Sequence, residues 1–307
     1  MRRAARNGVG GIRSATVRGV ALFLTGALTL GACTSEPAEN EDQRPDARRA
    51  PDSRSPSPTP VWDTRPDSIA AVGDSITRGF DACSVLSDCP EVSWATGSDP
   101  ATNSLAERLL DKPDQHSWNL ARSGSRMSDL PEQMRAAAKH DPDMVTVMSG
   151  GNDACQDTAD EMTEVTDFRT DFTKALRTLR RTQPGTQVYV VSVPDLKRLW
   201  SVGRKNGLGR QVWKLGICPS MLRDASSMSQ AAVERRNTVR ERVTQYNQVL
   251  EKVCAEDLRC RYDDGAVFDY DFNGDELSKW DWFHPSKKGQ RVLAELAYRH
   301  VTAPAGS

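Results

Sequence analysis

The sequence predicts an α/β protein, a single three-layer α/β/α domain around a mostly parallel five-stranded sheet. Short apolar runs alternate with amphipathic segments along the chain, which is the βαβαβ rhythm of a parallel sheet covered on both faces. The apolar runs are continuous and rich in branched residues, as buried strands require. The 247 residues from Val61 onward also suffice for one domain with a sizeable core.

In chain order, residues 68–72 read as a buried strand ending at Gly73. Residues 101–110 carry apolar positions at helical spacing after Asp99-Pro100, a helix start. A short strand is expected over 118–121, then a helix over 127–140 that stops before Asp141-Pro142. Residues 144–148 form the third strand, ending in Gly150-Gly151-Asn152-Asp153. A long helix over 160–182 leads to a β-branched fourth strand over 187–193. A helix over 234–255, a fifth strand over 259–262 and a closing helix over 286–300 complete the pattern. Residues 195–232, rich in Lys, Arg and Gly, fit no simple period and read as an insertion near the strand ends. It is expected either to shape access to a site or to act as a structural arm.

The first 60 residues do not read as globular. Residues 1–18 carry five arginines and no acid, and 19–31 are apolar. That is a signal peptide in charge and length, too short for a membrane span. It ends in Leu30-Gly31-Ala32-Cys33, which resembles the lipobox of bacterial lipoproteins. The expectation is a lipoprotein-type signal over 1–32 and lipidation of Cys33; the alternative is an ordinary signal peptide and an incidental cysteine. Residues 34–60 hold six prolines, four serines, six acids and four arginines. So polar a stretch cannot offset its ordering entropy, so 33–60 is expected to be a disordered tether.

From residue 61 the balance is 32 basic against 36 acidic residues, which gives no footprint for nucleic acid. Six cysteines remain besides Cys33, and an even count behind an export signal argues for disulfides. Close spacing suggests Cys83–Cys89 and Cys254–Cys260, leaving Cys155–Cys218 across the insertion. None has a histidine at zinc spacing, so no metal is expected.

The chemistry is carried by four blocks. Gly73-Asp74-Ser75-Ile76-Thr77 places a serine at a strand end, and Asp281-Trp282-Phe283-His284 places a histidine three residues after an aspartate. Between them lie Gly124, in Asn119-Leu120-Ala121-Arg122-Ser123-Gly124, and Asn152 in the Gly-Gly-Asn-Asp turn. A serine hydroxyl needs a base to attack, and a base needs an orienting carboxylate. Ser75, Gly124 and Asn152 each follow a strand end, and open α/β sheets bind ligands at that edge. Of the four histidines, His140 and His300 sit at helix ends and His116 in a polar loop, which leaves His284 as the base.

In that order, the blocks resemble the signature of the SGNH (GDSL-type) serine hydrolases, over about Ser68 to Gly289. The resemblance implies a flavodoxin-like SGNH hydrolase fold, with Ser75, His284 and Asp281 as the triad. It implies an oxyanion hole built from the backbone N–H groups of Ser75 and Gly124 and the side chain of Asn152. Asp74 and Asp153 become structural. The sequential disulfide pairing resembles that of secreted bacterial members. Ser93-Trp94, Gly-Gly-Asn-Asp-Ala-Cys155 and Leu277-Ser278 resemble the phospholipase B-like branch. Residues 269–275 match the start of an EF-hand loop, but its twelfth position is Trp280 rather than Glu, so a polar turn is the better reading.

The expected protein is a cofactor-free, monomeric serine esterase or lipase outside the cytoplasm. It would be lipid-anchored to the outer face of the cell membrane, or secreted if Cys33 is not lipidated. It would cleave small-molecule or lipid carboxylic esters, phospholipids included, through an acyl-enzyme on Ser75. Two alternatives stand beside it: a carbohydrate O-acetyl esterase of the cell envelope, and an envelope binding protein on a retired hydrolase fold.

Overall fold

A computed structural model describes residues 61–304. The signal segment, Cys33 and the tether therefore lie outside the described residues. Five strands, β1 (Ile69–Gly73), β2 (Ser117–Asn119), β3 (Met144–Met148), β4 (Gln187–Val190) and β5 (Cys260–Tyr262), form one sheet in the order β2-β1-β3-β4-β5. All four pairings are parallel. β1, β3 and β4 are buried along their whole length, which is why their sequences are mostly apolar, with Thr146 and Gln187 the polar exceptions. Among the described residues the five strands, one hydrophobic core and three disulfides make up a single compact unit with its own core.

The chain leaves β1 towards β2 on one side, then crosses back to β3 on the other. That reversal opens a crevice at the C-terminal ends of β1 and β3, the position where open α/β sheets place ligands. Ser75 follows β1 and Asn152 follows β3, so both reach the crevice.

Element boundaries differ from expectation where capping overrules periodicity. The helix expected from 101 begins at Leu105, because Ser104 accepts from the Glu107 amide and is the true N-cap. Asp99 instead holds a preceding turn by accepting from the Ala101 amide. The long helix expected from 160 begins at Val165, after a separate short turn over Ala159–Glu161. Its long successor, Gln230–Ala255, starts earlier than expected because Ser229 caps it through the Ala232 amide. Strand β4 ends at Val190, three residues short of expectation. The insertion is not irregular. It folds as three short helices, Leu196–Gly203, Gly207–Trp213 and Pro219–Leu222, whose brevity hid their period.

The disulfides join Cys83 to Cys89, Cys155 to Cys218 and Cys254 to Cys260. The second closes a separation of 63 residues, worth about 4 kcal/mol in the chain-entropy account. It ties the insertion to the residue that follows the Gly151–Ala154 turn of helix. Three such bonds fit an oxidising environment. Among the described residues no helix is long and apolar enough to cross a membrane. Residues 269–275 form a polar turn, in which Asn273 caps a short 3-10 helix over Gly274–Glu276 that leads into the His284 stretch.

Candidate active site

The site begins with a bend that only glycine permits. Gly73 has φ +142°, and a Cβ there would lie 2.0 Å from the Met148 carbonyl oxygen. The bend turns the chain out of β1 and presents Ser75 at the crevice. Two buried amides hold it. Gln133 accepts from the Gly73 amide at 2.7 Å and donates to its carbonyl at 3.0 Å. Gln290 donates to the Ile76 carbonyl at 2.8 Å. Asp74 accepts from the Ile76 amide at 3.0 Å, the structural role expected of it. Burial pushes its carboxyl up to about 6, against that hydrogen bond.

Ser75 Oγ lies 2.9 Å from Nε2 of His284, and His284 Nδ1 lies 2.5 Å from Asp281 Oδ2. The other carboxylate oxygen of Asp281 accepts from the amides of Phe283 and His284, at 2.9 and 3.0 Å. This fully buried carboxylate thus holds both the imidazole and the backbone that carries it. Trp282 takes a left-handed conformation, φ +50°, between the two. The insertion supports that turn, since Trp213 Nε1 donates to the Asp281 carbonyl at 2.6 Å.

Burial works to raise the Asp281 carboxyl, but the charge and hydrogen bond of His284 outweigh it and hold it below its ordinary value. Burial likewise works to lower His284, and Asp281 outweighs it, so the imidazole titrates above its usual 6.5. Sequence reading missed a second carboxylate. Asp81, buried, brings an oxygen within 4.8 Å of ligand atoms on both Asp281 and His284. Burial and the neighbouring Asp281 push it up to about 6. Among the described residues it is the one such three-membered cluster that contains a histidine, and its imidazole is already bonded to Asp281.

A sign follows for pH. A base must be neutral to take the Ser75 proton, so kcat/KM is expected to fall on acidification through the raised imidazole value, above 6.5. Above about 6 Asp81 is mostly ionised, and its charge also helps to raise His284. Asp81→Asn is therefore expected to move the acid limb to lower pH, read from a kcat/KM profile. A limb that stays in place or moves up would remove Asp81 from the electrostatics of the site.

Ser75, Gly124 and Asn152 line one open cavity of about 340 Å³ with Phe80, Phe283 and His284. Its far wall is the Gly216–Cys218 loop of the insertion. Gly124 has φ +82° and a Cβ there would meet open space. Among the described residues, the amides of Ser75 and Gly124 donate to no protein acceptor. Asn152 spends one N–H on the Ser125 carbonyl at 2.9 Å and keeps the other. Asp153 accepts from the Met127 amide at 2.9 Å and so anchors the Asn152 turn. Behind Ser75, Ile76, Leu196 and Leu199 line a recess of about 30 Å³. The arrangement offers a nucleophile, a base, its orienting acid and three free donors at one cavity floor, which suits acyl transfer.

Residues 71–292 match the sequence profile of the GDSL-like lipase/acylhydrolase family. No curated protein sequence matches the chain. Among solved structures, the chain is similar to an alpha/beta hydrolase enzyme from the metagenome of Lake Arreo, Spain, at 19% identity. That match covers 79% of this chain and 98% of the other, with a TM-score of 0.48. It is also similar to an acetylxylan esterase from Geobacillus stearothermophilus, at 15% identity over 79% and 97% of the two chains, TM-score 0.44. A lipase from a goat rumen metagenome matches at 16% identity over 76% and 97%, TM-score 0.45.

Proposed function

The chain belongs to the GDSL-like lipase/acylhydrolase family, and from that premise we propose that it is a serine esterase working through an acyl-enzyme on Ser75. The observation that carries this is the unbroken relay Ser75 Oγ, His284, Asp281, at 2.9 and 2.5 Å, on the floor of an open cavity. His284 takes the serine proton as Oγ attacks the ester carbonyl, and then hands it to the leaving alcohol. Water, deprotonated by the same imidazole, releases the acid. The amides of Ser75 and Gly124 and the Asn152 side chain receive the oxyanion. Asp281 orients the imidazole and balances its charge.

The 340 Å³ cavity has Phe80, Ile217 and Phe283 on its walls, which suits an aliphatic acyl chain in a lipid or envelope ester. Its three disulfides support action outside the cytoplasm. The Leu30–Cys33 pattern supports a lipid anchor at the outer membrane face. A carbohydrate O-acetyl esterase is the second reading, favoured by the 30 Å³ recess beside Ser75, which has room for little more than a methyl group.

Hydrolysis of p-nitrophenyl esters from acetate to palmitate by residues 61–307 separates the two. A maximum at medium or long chains assigns the acyl group to the open cavity. A maximum at acetate, falling off by butyrate, assigns it to the recess and favours the acetyl esterase. Folded protein inert on the whole series would move the retired binding protein ahead of both.

A further inference from the structure

Residues 204–236 carry seven Lys and Arg but only two acids, Asp224 and Glu234, in a domain that is otherwise acidic. Among the described residues none of the seven enters an ion pair. Arg204 and Arg236 lie over the Trp200 ring, at 4.6 and 4.1 Å. Arg210 and Arg235 donate to backbone carbonyls, at 2.6 and 2.9 Å. Their charges are thus held in place but not neutralised. Burial, helped by Arg235 and Arg204, pushes Arg236 down to about 10. With Arg236 buried, six cations against two acids remain along this stretch, an excess of positive charge that suits an anionic partner.

Two further observations define that partner. Leu208 and Leu215 stand 69% and 80% exposed, beside the exposed Lys205 and Lys214. Between the Gly207–Trp213 helix and residues 219–227 lies a cavity of about 670 Å³, with Arg210, Lys214 and Arg223 on its walls. Gly216 borders both this cavity and the one over Ser75. A nucleic acid or polyphosphate gains nothing from exposed leucines, whereas a bilayer interface takes cations at its headgroups and aliphatic side chains just beneath.

The geometry points to the 204–236 arm as a docking surface for an anionic phospholipid membrane, which brings the Ser75 cavity to the lipid interface. This goes beyond ester hydrolysis, since docking needs no turnover. Each cation at an anionic surface contributes roughly fivefold to partition.

Residues 61–307 bearing Ser75→Ala, which leaves the vesicles intact, are sedimented with two kinds of vesicle. One is phosphatidylcholine alone and the other contains about a third phosphatidylglycerol. Retention on the anionic vesicles is expected to exceed that on neutral ones by at least about tenfold and to vanish at high salt. Lys205→Glu, Lys214→Glu and Arg223→Glu together should abolish the preference. In the Ser75 background they should leave hydrolysis of soluble p-nitrophenyl acetate intact, which also reports folding. Leu208→Ser with Leu215→Ser should weaken retention several-fold. Equal partition to both vesicles, or undiminished retention of the charge-reversed variant, overturns the proposal. So does tight binding of double-stranded DNA with no vesicle preference, which would assign the arm to a polyanion.

Discussion

Ser75→Ala is expected to remove ester hydrolysis by residues 61–307, with kcat lowered on the order of 10⁴- to 10⁶-fold. The exchange deletes one oxygen whose recorded side-chain partner is His284 Nε2, at 2.9 Å. Nothing structural leans on that oxygen, because the bend that presents it is held by Gln133, Gln290 and Asp74. Near-UV circular dichroism should accordingly be unchanged. His284→Ala should cost about as much, and the double variant should cost no more than either single one. Groups that act as a unit fail together, so their losses do not add. Two separate losses that multiplied, or a Ser75→Ala protein within tenfold of the parent, would place the nucleophile elsewhere.

The parts of this relay were legible because each obeys a local rule. A serine after an apolar run and a histidine three residues after an aspartate can be read without coordinates. The sheet order makes the crevice between β1 and β3; alternation of strands and helices announces the parallel sheet, but the order itself is set by tertiary packing. The supports were less visible, though two of them left a trace. Gln133 falls on the buried stripe of Leu130–Ala137 with Leu130, Met134 and Ala137. Gln290 falls on that of Lys287–Thr302 with Leu293, Ala294 and Ala297. A polar residue on an otherwise apolar stripe needs a buried partner, and here the partner is the backbone of the nucleophile turn. Asp81 left no trace, since its approach to His284 spans 203 positions and depends on how the 81–87 turn packs beneath Ser278. Trp213 was equally silent. Its bond to the Asp281 carbonyl joins an insertion helix to a distant strip, and no period or spacing encodes that pairing.

Asn152→Ala is expected to lower kcat by about 10²- to 10³-fold with KM little changed. The amide has two N–H groups. The Ser125 carbonyl takes one at 2.9 Å, which fixes the plane of the side chain and leaves the other aimed by geometry rather than by substrate. A donor held in advance does not reorganise as charge develops on the carbonyl oxygen, so its worth appears in the transition state and not in the ground state. The loss should therefore sit in kcat. The turn itself should survive, because Asp153 and the Met127 amide hold it independently at 2.9 Å. Asn152→Asp sharpens the test. It keeps the size of the side chain but replaces donor by acceptor, facing the Ser125 carbonyl on one side and the developing oxyanion on the other. Its loss should exceed that of the alanine variant at neutral pH and shrink as the new carboxylate is protonated. If instead KM rises while kcat holds, Asn152 binds substrate uniformly, and the oxyanion must be met by the Ser75 and Gly124 amides alone.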